Sequence, residues 1–298
     1  MNQTIKEFGK KIISLVPTKL WLSYNFKRRM GYKMDWKNPK TFNQKLQWLK
    51  VYNKNPIYTA MVDKFEAKKY VADIIGEEYI IPTLGVWDSF DEIEVDKLPD
   101  QFVLKCTHDS GGLAIVRDKS KFDKEKARKK FEIALRRNPY AVTREWPYKN
   151  VKPRIIAEQY MEDENEAAGL TDYKFFCFDG EPRMLYVSQG LEDHATARIS
   201  FYDMNGDPMP FCRKDFRPLE GKFQPPSNFD QMRKKAEELA AKADSPFVRI
   251  DLYSVNGKVY FSENTFFPCS GMIPFSPEEW DAKLGAWIEL PAVKKEEK

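Results

Sequence analysis

The stretch that most restricts the fold is residues 248–264, VRIDLYSVNGKVYFSEN. Asn256-Gly257 stands between two runs rich in Val, Ile, Tyr and Phe, a strong short-range signal for a β-hairpin. Those runs carry Arg249, Asp251 and Glu263 at positions where an ordinary hairpin buries apolar groups. A loop of Val255-Asn256-Gly257, a type I turn closed by a left-handed residue, suits Gly257. Ser254 then pairs with Lys258, Asp251 with Phe261 and Arg249 with Glu263. Because side chains alternate along a strand, Arg249, Asp251, Glu263 and Thr265 share one face, and Val248, Ile250 and Leu252 the other. A two-residue loop would slip the register and separate Asp251 from Glu263. The expectation is a polar, carboxylate-bearing sheet face above an apolar core.

The 298 residues suffice for one large domain or two to three small ones. The first hundred read as mainly helical. TFNQKLQWLKVYN starts at a Thr41 cap, and PIYTAMVDKFEAKKYVADIIG runs as one helix to Gly76. A short strand broken by Pro82 follows in YIIPTLGVWDSF. From Gln101 the texture turns to β, with strands QFVLKC and LAIVRD around the loop THDSGG, then the helix KEKARKKFEIALRRN and the strand RIIAEQYM. Beyond the acidic loop EDENEAAG come a hairpin turning at Asp179-Gly180, the strand ARISFYD, and a helix capped by Asn228 that leads into the 248–264 hairpin. A last helix, SPEEWDAKLGAWIEL, takes Ser276 as its cap and Pro277 at its first position. Strands and helices in separate runs make an α+β chain.

Composition excludes several functions. A net charge of +4, with no basic stripe interleaved by aromatics, argues against nucleic acid as a partner. Cys106, Cys177, Cys212 and Cys269 are widely spaced, and His108 and His194 are the sole histidines, so neither a zinc site nor a histidine triad is expected. No apolar run matches a bilayer, and IISLV is too brief for a signal-peptide core, which points to the cytoplasm. The basic first thirty residues could rest weakly on an anionic membrane surface, although packing on the domain is the favoured use.

Three motifs carry chemistry, each with a plainer reading beside it. Lys105 precedes Ser110, Gly111 and Gly112, where glycines let backbone N–H groups approach phosphate oxygens; a polar hairpin loop explains the same residues. The spacing of a Walker A loop is absent. Glu158, Gln159, Tyr160 and Met161 end an apolar strand, offering backbone groups to a purine edge or simply closing a core strand. Asp251 and Glu263 are the oxygen ligands Mg²⁺ prefers, and Arg249 could neutralise a developing oxyanion or phosphoryl group; a cross-strand surface ion pair is the alternative.

The order of these motifs is more specific than any one of them. Together with NPKTFNQKLQWLKVYNKNP, DKFEAKKYV, LPDQFVLKCTHDSGG and FSENTFFPCSG, they resemble the TupA-like branch of the ATP-grasp superfamily from about Lys19 to Pro291. The resemblance implies an ATP-grasp fold, two α+β subdomains gripping ATP, with a mainly helical region 1–98, a small lid subdomain 99–161, a large subdomain 162–292 and a tail 293–298. It implies that a substrate carboxylate attacks the γ-phosphate of ATP to form an acylphosphate, which an amine or other nucleophile displaces. By position, Lys105 resembles the lysine on the α/β phosphates, under the Ser110-Gly111-Gly112 loop, and Lys64 a second lysine near the phosphates. Glu158, Tyr160 and Met161 resemble the adenine hinge, and Glu166 a ribose contact; Lys174 would face the same cleft. Asp251 and Glu263 resemble the Mg²⁺ ligands and Arg249 the arginine that steadies the acylphosphate.

Two positions depart from the family's pattern. Glu263 is followed by Asn264 and Thr265 where Glu-x-Asn is usual, so either the threonine hydroxyl or a shifted Asn264 fills the third place; and Gln44 stands where relatives often have glutamate. The resemblance implies an ATP- and Mg²⁺-dependent ligase acting on a carboxylate-bearing saccharide or small-molecule precursor of a cell-surface polysaccharide, such as a uronic acid. Relatives are often labelled glycosyltransferase, and a non-catalytic nucleotide-binding module is the third alternative.

Overall fold

A computed structural model describes residues 13, 15–163, 170–190, 197–220 and 223–293 of the chain. From Thr18 onward the chain begins with helices α1 (Thr18–Met30), α2 (Phe42–Tyr52), α3 (Ile57–Val62) and α4 (Glu66–Ile75). Thr41 caps α2 in a capping box with Gln44, as expected for the cap. Gln44 Oε1 accepts from Lys40 and Thr41 N–H, while its Nε2 donates to Lys33 O at 3.1 Å. That last bond needs the amide; a glutamate could not donate it.

The single helix expected through residues 57–75 is broken. Asp63 Oδ1 accepts the N–H groups of Phe65 at 2.8 Å and Glu66 at 3.2 Å, so a new helix starts there. The break leaves Lys64 outside helical geometry, with its N–H bonded across to Thr107 O.

Strands β1 (Thr83–Trp87), β2 (Phe102–Cys106), β3 (Leu113–Val116) and β4 (Ile155–Gln159) form an antiparallel sheet in the order β1-β4-β2-β3. Helix α5 (Lys124–Leu135) covers it through Phe131 and Ala134, in a core with Phe90, Leu98, Phe102 and Ile155; the short α6 (Pro139–Thr143) follows. Strand β1, which precedes residue 99, belongs to this sheet through its pairing with β4.

The larger sheet, order β10-β9-β5-β6-β7, comprises β5 (Asp172–Phe178), β6 (Glu181–Gln189), β7 (Arg198–Tyr202), β9 (Phe247–Val255) and β10 (Lys258–Thr265), all antiparallel. Two short strands, β8 (Cys212–Arg213) and β11 (Phe275–Ser276), pair beside it. Helices α7 (Phe229–Ala243) and α8 (Glu279–Ala286) complete the chain. Successive residues of β5 meet opposite layers: Phe175 stacks on Phe229 of α7 at 5.9 Å, and Phe176 lies 6.2 Å from Phe42 of α2. On the Phe176 side an aromatic cluster of Phe42, Phe178, Phe247 and Phe275 fills one half of the face. The other half is polar.

Two helix starts differ from expectation. Asn228 makes no capping bond; its Oδ1 accepts from Ser254 Oγ. Ser276 lies in β11, and α8 begins at Glu279. No helix among the described residues is long and apolar enough to cross a membrane.

Helix α8 packs hard against the start of α2. Asp281 accepts from Tyr32 OH at 2.6 Å and from Asn43 N–H at 2.9 Å, and a Cβ on Gly285 would lie 2.6 Å from Phe42 N. Because backbone atoms form that contact, Gly285→Ala is expected to lower stability by about 1–3 kcal/mol. The denaturant midpoint should fall with an unchanged slope.

Candidate active site

The hairpin reaches the expected face by a different route. Val255 pairs with Lys258, so the loop is the two-residue Asn256-Gly257, with φ of 49° and 76°, the geometry of a type I′ turn. That slip would turn Glu263 away from Asp251, but the register shifts again at Ser262, between Phe261↔Leu252 and Glu263↔Asp251. The bulge restores the alternation. Asp251 therefore faces Glu263, and Arg249 faces Thr265, in place of Phe261 and Glu263.

Arg249 Nε and Nη2 donate to the two oxygens of Asp251, both at 2.6 Å; Nη2 also reaches Thr265 Oγ1 at 3.0 Å and Glu263 Oε1 at 3.3 Å. Burial opposes charge on both partners and pushes the Asp251 carboxyl up; at the guanidinium burial works downward, but the Asp251 charge and the two short bonds outweigh it and lift Arg249 above its ordinary value. On β5, buried Lys174 lies 3.3 Å from Asp251 and 2.9 Å from Asp172, whose charges outweigh its desolvation and raise its pKa. Lys64, delivered by the break between α3 and α4, stands 3.7 Å from Glu263 Oε2. Burial would raise Glu263, but Lys64, Arg249, Lys174 and Lys105 outweigh it and hold it at about 2.

The small sheet supplies a second ionic group. Glu158 takes Lys105 Nζ and Lys68 Nζ on its two oxygens, each at 2.6 Å. Its burial is overcome by the two ammonium groups, which bring its pKa down to about 2. Lys105 also feels Glu263 and Asp172 across the cleft. Tyr160 turns elsewhere: its OH accepts from Arg117 Nε at 3.0 Å, and it lines a separate hollow with Leu84 and Gln159. Met161 is half-buried just beyond it, and Glu166 lies outside the described residues.

In the glycine loop, Asp109 Oδ1 accepts the N–H groups of Gly111 and of Gly112, the latter at 2.7 Å, and Arg137 Nη1 lies 3.2 Å from its Oδ2. Ser110 is exposed at the mouth of a cavity of about 650 Å³ that also takes in Lys64, Arg249, Glu263, Tyr148 and Phe267. Buried Lys50 anchors its wall, donating to Thr143 O, Ser270 O and Ser270 Oγ; desolvation lowers its pKa to about 8.

Asp251 and Glu263 are the hard oxygen donors that suit Mg²⁺, and no group of three or more His, Cys, Asp or Glu that could hold a metal converges among the described residues. Thr265, not Asn264, joins them; Asn264 is buried on the opposite face and donates to Met61 O.

Lys68, Asp172 and Tyr253 escaped sequence reasoning. Tyr253 follows Asp251 by two on β9, so strand alternation could have found it, and its pKa is raised by Asp172 and by burial. Lys68 follows Lys64 by four, a helical spacing that the break does not keep.

A family model described as TupA-like ATPgrasp matches residues 44–289, well over half of the chain. No curated protein matches. Solved structures similar to it include D-alanine–D-alanine ligase from Bacillus anthracis complexed with ATP, at 16% identity and a TM-score of 0.39, covering 70% of this chain and 54% of that one. D-Alanine-D-alanine ligase from Helicobacter pylori is 15% identical, covers 85% and 70%, and scores 0.43. An L-amino acid ligase from Bacillus licheniformis is 14% identical, covers 77% and 49%, and scores 0.44. The chain thus spans little more than half of the length of the Bacillus anthracis ligase.

Replacing Glu158 by Gln leaves two lysines without their counter-charge and is expected to cost about 3–5 kcal/mol. Because the folded pKa of about 2 lies below the unfolded value, Glu158 stabilises the protein above about pH 4.3 and loses this as pH falls towards 2. Denaturation midpoints from pH 7 to 2 should therefore fall less steeply in Glu158→Gln than in the unmodified protein.

Proposed function

The chain belongs to the TupA-like ATP-grasp family, and on that premise we propose that it is an ATP- and Mg²⁺-dependent ligase of cell-surface polysaccharide synthesis. It would join a carboxylate, such as that of a uronic acid, to an amine or related nucleophile. One observation carries the reading. Lys64, Lys105, Lys174 and Arg249, from four separate segments, gather around Glu158, Asp251 and Glu263 between the two sheets. So many cations at one cleft suit a polyanionic substrate, and a triphosphate is the one the family binds.

In the proposed reaction a substrate carboxylate oxygen attacks the γ-phosphorus and the bond to the β–γ bridging oxygen breaks, giving an acylphosphate and ADP. The nucleophile then attacks the acyl carbon, phosphate leaves with the electron pair of the C–O bond, and the amine gives up a proton. Lys64 and Lys105 would hold the phosphates, with Lys105 passing from Glu158 to the nucleotide. Arg249, its Nε and Nη2 already fixed by Asp251, would offer its remaining N–H groups to charge developing on the transferred phosphoryl or the acyl oxygen. Asp251 and Glu263 would hold Mg²⁺, which supplies charge neutralisation between phosphates. The 650 Å³ cavity beside them, with Tyr148 and Phe267 in its lining, is large enough for a monosaccharide-sized acceptor.

A second reading, nucleotide binding without turnover, has one observation in its favour: both Asp251 oxygens are bonded to Arg249, and Thr265 stands in the third place.

ATP with Mg²⁺ is expected to raise the Tm and UDP-sugars are not; stabilisation by UDP-sugars alone would overturn the proposal. Lys105→Ala should abolish the ATP-induced shift. Arg249→Lys keeps the charge but loses the fork, and should lower kcat for ADP release by about 10²-fold or more, with candidate uronic acids and amino acids as substrates. ATP binding with no ADP release from any such pair would favour the second reading.

A further inference from the structure

Residues 13–34 contain no acidic side chain but hold Lys19, Lys27, Arg28, Arg29 and Lys33. Helix α1 buries Leu22 and Phe26 against the domain. Its opposite face carries Leu20, Tyr24, Lys27 and Arg28 at successive helical turns. Leu20 is 64% exposed and Tyr24 62%, and Leu15, just before the helix, is 83% exposed. Lys27, Arg28, Arg29 and Lys33 are exposed and form no ion pair among the described residues. Exposed apolar side chains beside cations with no ion pair among the described residues match an interface that is both apolar and anionic.

The face has a fixed place relative to the cleft. Trp21 Nε1 donates to Val142 O at 2.7 Å, and Arg144 Nη2 to Ile13 O at 2.6 Å and Val16 O at 3.2 Å. Val142 and Thr143 line the 650 Å³ cavity. We infer that the Leu15–Leu20–Tyr24 face with its flanking Lys27 and Arg28 docks on an anionic lipid surface, which holds the cavity mouth beside the bilayer. Nucleic acid fits less well, because phosphates would cover the cations and leave the leucines in water. The inference stands whether or not the cleft is a ligase site.

Co-sedimentation of the full chain with vesicles of equal parts phosphatidylglycerol and phosphatidylcholine tests it. Binding is expected to the anionic vesicles, to fall with added salt and to be absent with pure phosphatidylcholine. Lys27→Glu with Arg28→Glu, and separately Leu20→Gln with Tyr24→Gln, should each weaken partitioning at least about tenfold at unchanged Tm and unchanged ATP-induced Tm shift. Failure to pellet at low salt, or partitioning by either double variant equal to that of the unmodified protein, overturns the inference. So does tighter binding to an RNA homopolymer than to the vesicles, or a dimer in size-exclusion chromatography that Leu20→Gln with Tyr24→Gln dissociates.

Discussion

The cleft depends on a buried ion pair at its centre. Arg249 and Asp251 sit two residues apart on β9, and their two bonds of 2.6 Å join a guanidinium to a buried carboxyl group. A carboxylate so enclosed is costly unless a cation meets it directly. Once the guanidinium is fixed in this way, its remaining reach extends to Glu263 and Thr265 on the adjacent strand. Lys174 closes the other side of Asp251. The polar half of the large sheet is therefore a set of mutually neutralising groups, and a ligand entering it meets side chains that are already oriented.

Two backbone irregularities build this arrangement. The bulge at Ser262 returns Glu263 to the face that a two-residue turn would have denied it. The helix break at Asp63 takes Lys64 out of regular helix and sets it 3.7 Å from that same carboxylate. Bulges and broken helices disrupt hydrogen-bond ladders, so each needs local compensation. Asp63 provides it at the break by bonding two N–H groups and by accepting Arg154 Nη2 at 2.9 Å. Both irregularities deliver charged groups to the one cleft.

Glu158 plays the corresponding part in the small sheet. It ties Lys68 of α4 to Lys105 of β2, and so links the helical region to the small sheet by charge. The two subdomains keep separate apolar cores, one around Phe102 and Phe131, the other around Phe42 and Phe176. An interface held by ion pairs can be rearranged by an anionic ligand, whereas a shared apolar core would resist that.

Much of the plan was legible locally. Alternating apolar runs marked the strands, Thr41 and Gly76 marked helix ends, and the hairpin sequence placed Arg249, Asp251, Glu263 and Thr265 on one face, because the period of two is a property of the strand itself. The turn length and the bulge were not legible. Each shifts the register by one residue in the same sense, and together they make two, a full strand period, which leaves the same face pattern, so either combination satisfies the sequence. Lys68 with Glu158, the turning of Tyr160 to Arg117, and the pairing of β1 with β4 were equally hidden. Each is settled by which distant segment lies alongside, a matter of packing two sheets and a helical layer. Which residues carry charge, and which face of a strand they share, follows from residue order and the period of two; which charges meet follows from the packing of distant segments, because a carboxylate's partner is chosen by proximity in space.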